Sequence, residues 1–328
     1  MFVPPYGGLE FPYKYNLNWI IAKIKELMQS CTSLQEAWEK FQEEFGDMLD
    51  EHIRSQLQQM LNDGSFAALI DQWIDNIPFI NVKDNGAKGD GVTDDTEAIQ
   101  NCINNFVGNI IFFPKGVYII SSPIKLPNDT IIQGCCENSI IRCALNFSGS
   151  SMLMSQNFDE LTGTQDPTNS DQNWTISDIS LDGYYRDMYE NTLLRPEANE
   201  NGLSLYGYGY HIRNVNIYNV GGNGFWLEYY ARNYYFDLEN YGPGYIIQSR
   251  INHCGKNGMI VTGATDFLID GCSFHTNSRK GNGQYDNLQF VKGGAKIANT
   301  HLFCLYGDIK PRYSINISKN AGSIILTN

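Results

Sequence analysis

Ile212-Arg213-Asn214-Val215-Asn216-Ile217 carries apolar side chains at its first, fourth and sixth positions, and the spacing recurs along the chain. Ile176/Ile179/Leu181, Ile246/Ser249/Ile251, Ile269/Cys272/Phe274 and Ile297/Thr300/Leu302 place apolar or small residues at the same three steps. Between these lie pairs of apolar residues two apart, often preceded by Asn-Gly: Leu203/Leu205, Phe225/Leu227, Met259/Val261, Leu288/Phe290 and Ile315/Ile317. Two short patterns that alternate without exception, at unequal intervals, are what stacked coils joined by loops of different length produce. The third residue of each first element is Asp178, Asn214, Gln248, Gly271 or Asn299, types that suit a tight corner between strands. Asn109–Phe113, Gly116–Ile120, Thr130–Gln133 and Ser139–Arg142 supply earlier strands.

Upstream of Pro78 the periodicity is helical instead. Leu17, Ile20, Ile21, Ile24, Leu27 and Met28 share one helix face, and Thr32-Ser33-Leu34-Gln35 reads as a capping box opening a second helix. That helix carries Trp38, Phe41, Phe45, Met48, Leu49, Ile53, Leu57, Met60 and Leu61 before Asp63-Gly64 ends it, and Ser65 to Ile74 forms a third. Self-packing of the long helix and an intrachain hairpin fit the pattern equally well. The domains expected are a helical attachment and trimerisation module over 1–78 and a strand-rich unit over 79–328 with a capping helix near 94–106.

Composition narrows the function. Of the 328 residues 42% are hydrophobic and 18% charged, as in a folded globular protein. A net charge of -13 opposes binding to nucleic-acid phosphates or anionic lipid. No apolar run is long enough to span a membrane, and the first residues lack a signal peptide's pattern, so the chain is expected to fold in the cytoplasm where it is made. The eight cysteines include no C-x-x-C pair and no zinc spacing, so free thiols, no metal and no cofactor are expected.

Residues 81–100, Asn-Val-Lys-Asp-Asn-Gly-Ala-Lys-Gly-Asp-Gly-Val-Thr-Asp-Asp-Thr-Glu-Ala-Ile-Gln, resemble the opening signature of the pectate-lyase-like superfamily, as do Phe112-Phe113-Pro114-Lys115-Gly116-Val117-Tyr118 and Asp129-Thr130-Ile131-Ile132-Gln133-Gly134. The resemblance covers roughly 79 to 328. It implies a mainly β fold, a right-handed parallel β-helix (solenoid) behind the N-terminal α-helical module, and makes the opening motif a cap. There Asp94 can cap a helix with Glu97 three residues on, and Ala98, Ile99, Cys102, Ile103 and Phe106 form its apolar face.

Tyr13 to Ile21 is similar to the start of many phage tail and fibre proteins. The resemblance therefore implies a structural subunit of a bacteriophage tail or neck appendage, present in the virion as a homotrimer. Its expected contacts are other phage proteins, through residues 1–75 and the C-terminal end of the solenoid, and bacterial surface polysaccharide. The alternative is a depolymerase, a glycoside hydrolase or lyase acting on capsule or cell wall.

Carboxylates converging on an outer face would mark the enzyme. Asp182, Glu228, Asp237 and Glu239 are the catalytic candidates, with Asp270, Arg250 and His253 near them in sequence, although a solvated strand face or a corner explains each of them more simply. Tyr206, Tyr208, Tyr229, Tyr230 and Tyr234 are candidates for stacking on sugar rings, and a subunit interface would use tyrosines equally well. The paired aspartates, Gly-His-Gly and Arg-x-Lys segments of polygalacturonase-like members are absent from 176–328, which argues against pectin cleavage.

Overall fold

The structure, a computed structural model, describes residues 79–164, 171–187, 192–229, 244–264, 266–305 and 309–327, together with 39–41, 43, 59 and 62–65. The helices expected before Pro78 lie outside the described residues apart from those few positions, as do Asp237, Glu239, Tyr230 and Tyr234. The chain divides into two compact units, Met1–Pro78 and Phe79–Asn328.

The second unit is mainly β, and its described strands form two parallel sheets of 15 and 8 strands. These comprise three ladders. The first contains Phe79–Asn81, Ile110–Phe112, Ile131–Gln133, Asp171–Ser177, the end of Asn201–Arg213, Tyr245–Ile247, Phe267–Asp270, Ala295–Ala298 and Ile324–Thr327. The second contains Asp90–Asp94, Gly116–Ile120, Ser139–Cys143, Ser180–Asp182, Asn216–Tyr218, Arg250–Asn252, Ser273–His275 and His301–Phe303. The third contains Ile124–Leu126, Ser151–Ser155, the start of Asn201–Arg213, Phe225–Glu228, Met259–Val261, Leu288–Phe290 and Ile315–Ile317. From Ile110 onward the chain visits first, second and third ladder in unbroken rotation.

Register explains the spacing found in the sequence. Ile80, Ile111, Ile132, Ile176, Ile212, Ile246, Ile269, Ile297 and Leu326 occupy one row of the first ladder. Leu181, Ile217, Ile251, Phe274 and Leu302 align in the second, and Leu203, Phe225, Met259, Leu288 and Ile315 in the third. From Ile111 to Ile269 the first of these rows is completely or almost completely buried, and all three rows contribute to one continuous core. The corner positions behave as their residue types require: Asp178, Asn214, Gln248, Gly271 and Asn299 all take positive φ, between 46° and 61°.

A second set of side chains stacks in the interior as hydrogen-bonding groups. Asn201 Oδ1 accepts the backbone N–H (3.0 Å) and the side-chain amide (2.9 Å) of Asn223. Asn223 Oδ1 accepts the same pair from Asn257 at 3.2 and 2.9 Å, and Asn257 Oδ1 accepts Asp286 N–H at 2.7 Å. Each turn into the third ladder thus satisfies buried backbone that no strand reaches.

The opening motif differs in detail from expectation. The helix is Thr96–Asn105, its N-cap is Asp95, and neither carboxylate closes a capping box. Asp95 reaches back to the N–H groups of Lys88 (2.6 Å) and Gly89 (2.9 Å), while Asp94 accepts Thr96 N–H at 3.0 Å. The Lys88 and Gly89 N–H groups, between the Val82–Gly86 turn and the strand Asp90–Asp94, are thus satisfied by the buried Asp95 carboxylate. Ile99, Cys102 and Ile103 are buried as expected. In the first pass through the ladders this helix stands where a third-ladder strand would be. The Gln100 amide accepts Lys125 N–H at 2.7 Å and donates to Lys125 C=O at 2.9 Å, replacing the missing strand's peptide at the edge.

Ile212→Ala should lower unfolding free energy by about 2–5 kcal/mol, the cost of a large-to-small change in a closed core, whereas His211→Ala, facing out on the same strand, should change it by less than about 0.5 kcal/mol; denaturant titration followed by circular dichroism reads both. Asn223→Ala removes the acceptor for two Asn257 donors and should cost about 1–3 kcal/mol in the same titration.

Candidate functional site

Strand alternation sends the residue after each inward second-ladder side chain outward, and register stacks these residues in a row: Arg142, Asp182, Tyr218, Asn252, His275 and Phe303. Asp182 is the carboxylate of this row, with its side chain only 5% exposed. Its Oδ2 accepts Arg142 Nε at 2.9 Å and its Oδ1 accepts Tyr184 N–H at 2.9 Å. Burial pushes its pKa up, and Arg142 beside it opposes that rise. The Tyr218 hydroxyl interacts with both Arg142 and Asp182, and burial followed by the Asp182 charge raises its pKa.

On the third ladder the outward row reads Lys125, Met154, Ser204, Trp226, Ile260, Gln289 and Asn316, and it contains no carboxylate. Glu228 lies two residues beyond Trp226 on the same face, in register with Tyr206, and is buried. It accepts Gly163 N–H at 2.8 Å and the Thr262 hydroxyl at 2.9 Å, and that hydroxyl accepts Trp226 Nε1–H at 2.8 Å. Asp182 and Glu228 thus stand on different ladders. The register neighbours of Asp182 are Arg142 and Tyr218 and that of Glu228 is Tyr206, so neither sits beside a second carboxylate in its row.

The other candidates fall at corners and in packed clusters. Asp270 accepts the Asn299 amide at 2.8 Å across the corner row, and Arg250 makes an exposed ion pair with Glu137 at 3.1 Å. Tyr206 is fully buried in a cluster with Met154, Phe158 and Leu161, so its ring faces are occupied within the chain. Tyr208 and Tyr229 pack with ring centres 5.2 Å apart, and the Tyr208 hydroxyl bonds Gln172 Oε1. Among the described residues no group of three or more His, Cys, Asp or Glu side chains could hold a metal ion.

Arg142 and Tyr218 escaped the sequence reading. Tyr218, Asn252, His275 and Phe303 all stand six residues after the first position of their repeat, as Asp182 does, so extending that pattern by one step finds them. Arg142 follows a longer corner built around Cys136–Asn138, which shifts its count.

Comparison with known proteins extends this picture. A family model described as rhamnogalacturonase A/epimerase, pectate lyase-like, matches residues 79–301. The pre-neck appendage protein of Bacillus phage phi29 is 29% identical over 205 residues, covering 61% of this chain and 23% of its own length. The chain therefore corresponds to about a quarter of that relative. The crystal structure of pre-mature bacteriophage phi29 gene product 12 aligns with TM-score 0.50 and 22% identity, over 80% of this chain and 35% of that one. The tailspike protein gp49 of Acinetobacter baumannii bacteriophage Fri1, a capsular polysaccharide depolymerase, aligns with TM-score 0.50 and 12% identity, over 77% of this chain and 43% of that one. Both structural likenesses are likenesses of fold.

His253 takes φ 54° at a corner, the reading the sequence favoured. Burial, then His275 and Arg279, lowers its pKa to about 4. His275 packs on Phe303 with ring centres 4.6 Å apart, and its pKa is also lowered, by burial and Arg250. A histidine depressed in the folded state leaves the unfolded chain binding more protons below its ordinary value of about 6.5. Its contribution is complete above that pH and lost as pH falls toward 4. Buried Asp171 and Asp182, whose pKa values are raised, act in the opposite sense, so the histidine effect has to be read as a difference. Between pH 7 and 4.5 the melting temperature of the wild type should therefore fall relative to that of His253→Asn, which tolerates the left-handed backbone, as thermal denaturation of the two followed by circular dichroism reads.

Proposed function

This chain belongs to the rhamnogalacturonase A/epimerase, pectate-lyase-like family, and on that premise we propose that its second unit is a right-handed parallel β-helix serving as part of a bacteriophage tail or neck appendage in the virion. The unbroken rotation through three parallel ladders supports the solenoid. Its hand follows from the rule that parallel crossover connections are almost always right-handed. The appendage reading rests on the 205-residue match to a pre-neck appendage protein. Residues 1–75 then attach the chain to other phage proteins, and three copies assemble.

A polysaccharide depolymerase is the second reading, and the enzymes that give the family its description favour it. In that reading Asp182, with Arg142 and Tyr218, is better placed than Glu228, and Asp237 and Glu239, which lie outside the described residues, are the other candidates. Of the described glycan-contact candidates only Tyr208 is not buried, since Tyr206 and Tyr229 both are; Tyr230 and Tyr234 lie outside the described residues and stay candidates. The structural reading is preferred because Asp182 and Glu228 are held apart on different ladders, neither beside a second carboxylate in its row.

Antibodies against residues 79–328 should label the tail or neck of purified particles in electron micrographs, and light scattering of the purified chain should return three chain masses. Incubation with host surface polysaccharide should yield neither new reducing ends nor unsaturated-uronate absorbance; unlabelled particles together with either product would replace the first reading by the second.

A further inference from the structure

We propose that Arg142 is a pre-oriented receptor for an oxyanion, a carboxylate or phosphoester carried by a sugar, on the outer face of the second ladder. Ile141 and Cys143 on either side are buried, so the strand turns Arg142 outward. Its Nε is fixed by Asp182 at 2.9 Å, and that carboxylate is itself anchored by Tyr184 N–H. The Tyr184 ring lies 5.0 Å from the guanidinium carbon and covers one face of it. To reach this position Tyr184 adopts φ 51°, a left-handed conformation that an aromatic residue rarely takes and that points to a constraint worth its strain.

An arginine held at Nε and along one face still presents the donors of its terminal amino groups as a planar fork. Apart from the Tyr218 hydroxyl, no described residue engages that fork, and the side chain remains 29% exposed. This is the geometry that binds carboxylate or phosphate through two parallel hydrogen bonds. Because the side chain is already immobilised, binding does not have to order it. Two residues favour a hydroxylated ligand: Tyr218 and Asn216, both half-buried, alternate on the same outward face along the next strand but one, beyond that of Asp182. An oxyanion here would form the third member of a carboxylate, guanidinium and anion series, with the Tyr218 hydroxyl beside it. The inference does not rest on the appendage reading, since it concerns a single side chain and its surroundings.

The test is saturation-transfer NMR and calorimetry on the full chain at low salt, with glucuronate, glucose 6-phosphate and glucose as probes. At least one acidic sugar should bind where glucose does not, and which of them binds separates carboxylate from phosphoester. Arg142→Gln combined with Asp182→Asn removes both charges together and should weaken that binding roughly 10- to 100-fold, with Arg213→Gln on the first ladder leaving it unchanged. Should the double variant fail to fold, Arg142→Lys carries the test: it keeps the charge beside Asp182 but lacks the fork, and should bind at least about tenfold more weakly. Wild-type affinity in a folded double variant or in Arg142→Lys, or acidic sugars binding no better than glucose, would overturn the proposal.

Discussion

Exclusion of water from a stack of aliphatic rows is the interaction on which everything else in the second unit depends. Parallel pairing repeats equivalent positions about every 4.8 Å, so Ile176, Ile212, Ile246 and Ile269 meet their own kind above and below. Each buried side chain of this class contributes about 1.5–3 kcal/mol, too little for one coil to offset its own ordering. On this arithmetic the rows are stable only together. That cooperativity explains why the chain tolerates loops of very different length between strands while the three steps inside each repeat stay fixed.

The polar interior follows from the same stacking. A corner turned in two or three residues leaves peptide groups that no ladder reaches, and these must be satisfied where water is absent. Asn201, Asn223 and Asn257 do this by accepting from the coil after them, with one oxygen serving two donors. The left-handed corner between first and second ladders has a different need, a residue that bears positive φ. Asp, Asn and Gly meet it readily, and Gln248 shows that the stack holds a longer side chain there too.

Repeats made the second unit legible. Inward rows and corner residues after residue 175 could be read from spacing, because each is fixed by a local rule applied once per repeat, and four of the earlier strands from their β-rich runs, whereas Asp90–Asp94 and Ile124–Leu126 were not. What spacing could not reveal was contact between residues far apart in sequence. Tyr206 reads as an exposed aromatic until the helix Phe158–Leu161 is seen to lie over it. Asp94 reads as the cap until Asp95, bonded back to the Lys88 and Gly89 N–H groups, is found at the N-cap position. Arg142 escapes notice because the corner before it is longer than those that follow, so its partnership with Asp182, 40 residues away, has no sequence periodicity to announce it.

Stacking also limits what chemistry the outer face can hold. Side chains at one position of adjacent coils lie about 4.8 Å apart, a spacing at which like charges directly opposite one another are destabilising. The outward row of the second ladder obeys this limit, with Asp182 set between Arg142 and Tyr218, followed by Asn252 and His275. A pair of carboxylates on neighbouring coils would need a shared proton or a cation between them. Charge on such a scaffold is more stably arranged as isolated carboxylates, each held by a donor from the next coil. Asp182 is held in this way, and the cation that holds it is the side chain left facing solvent.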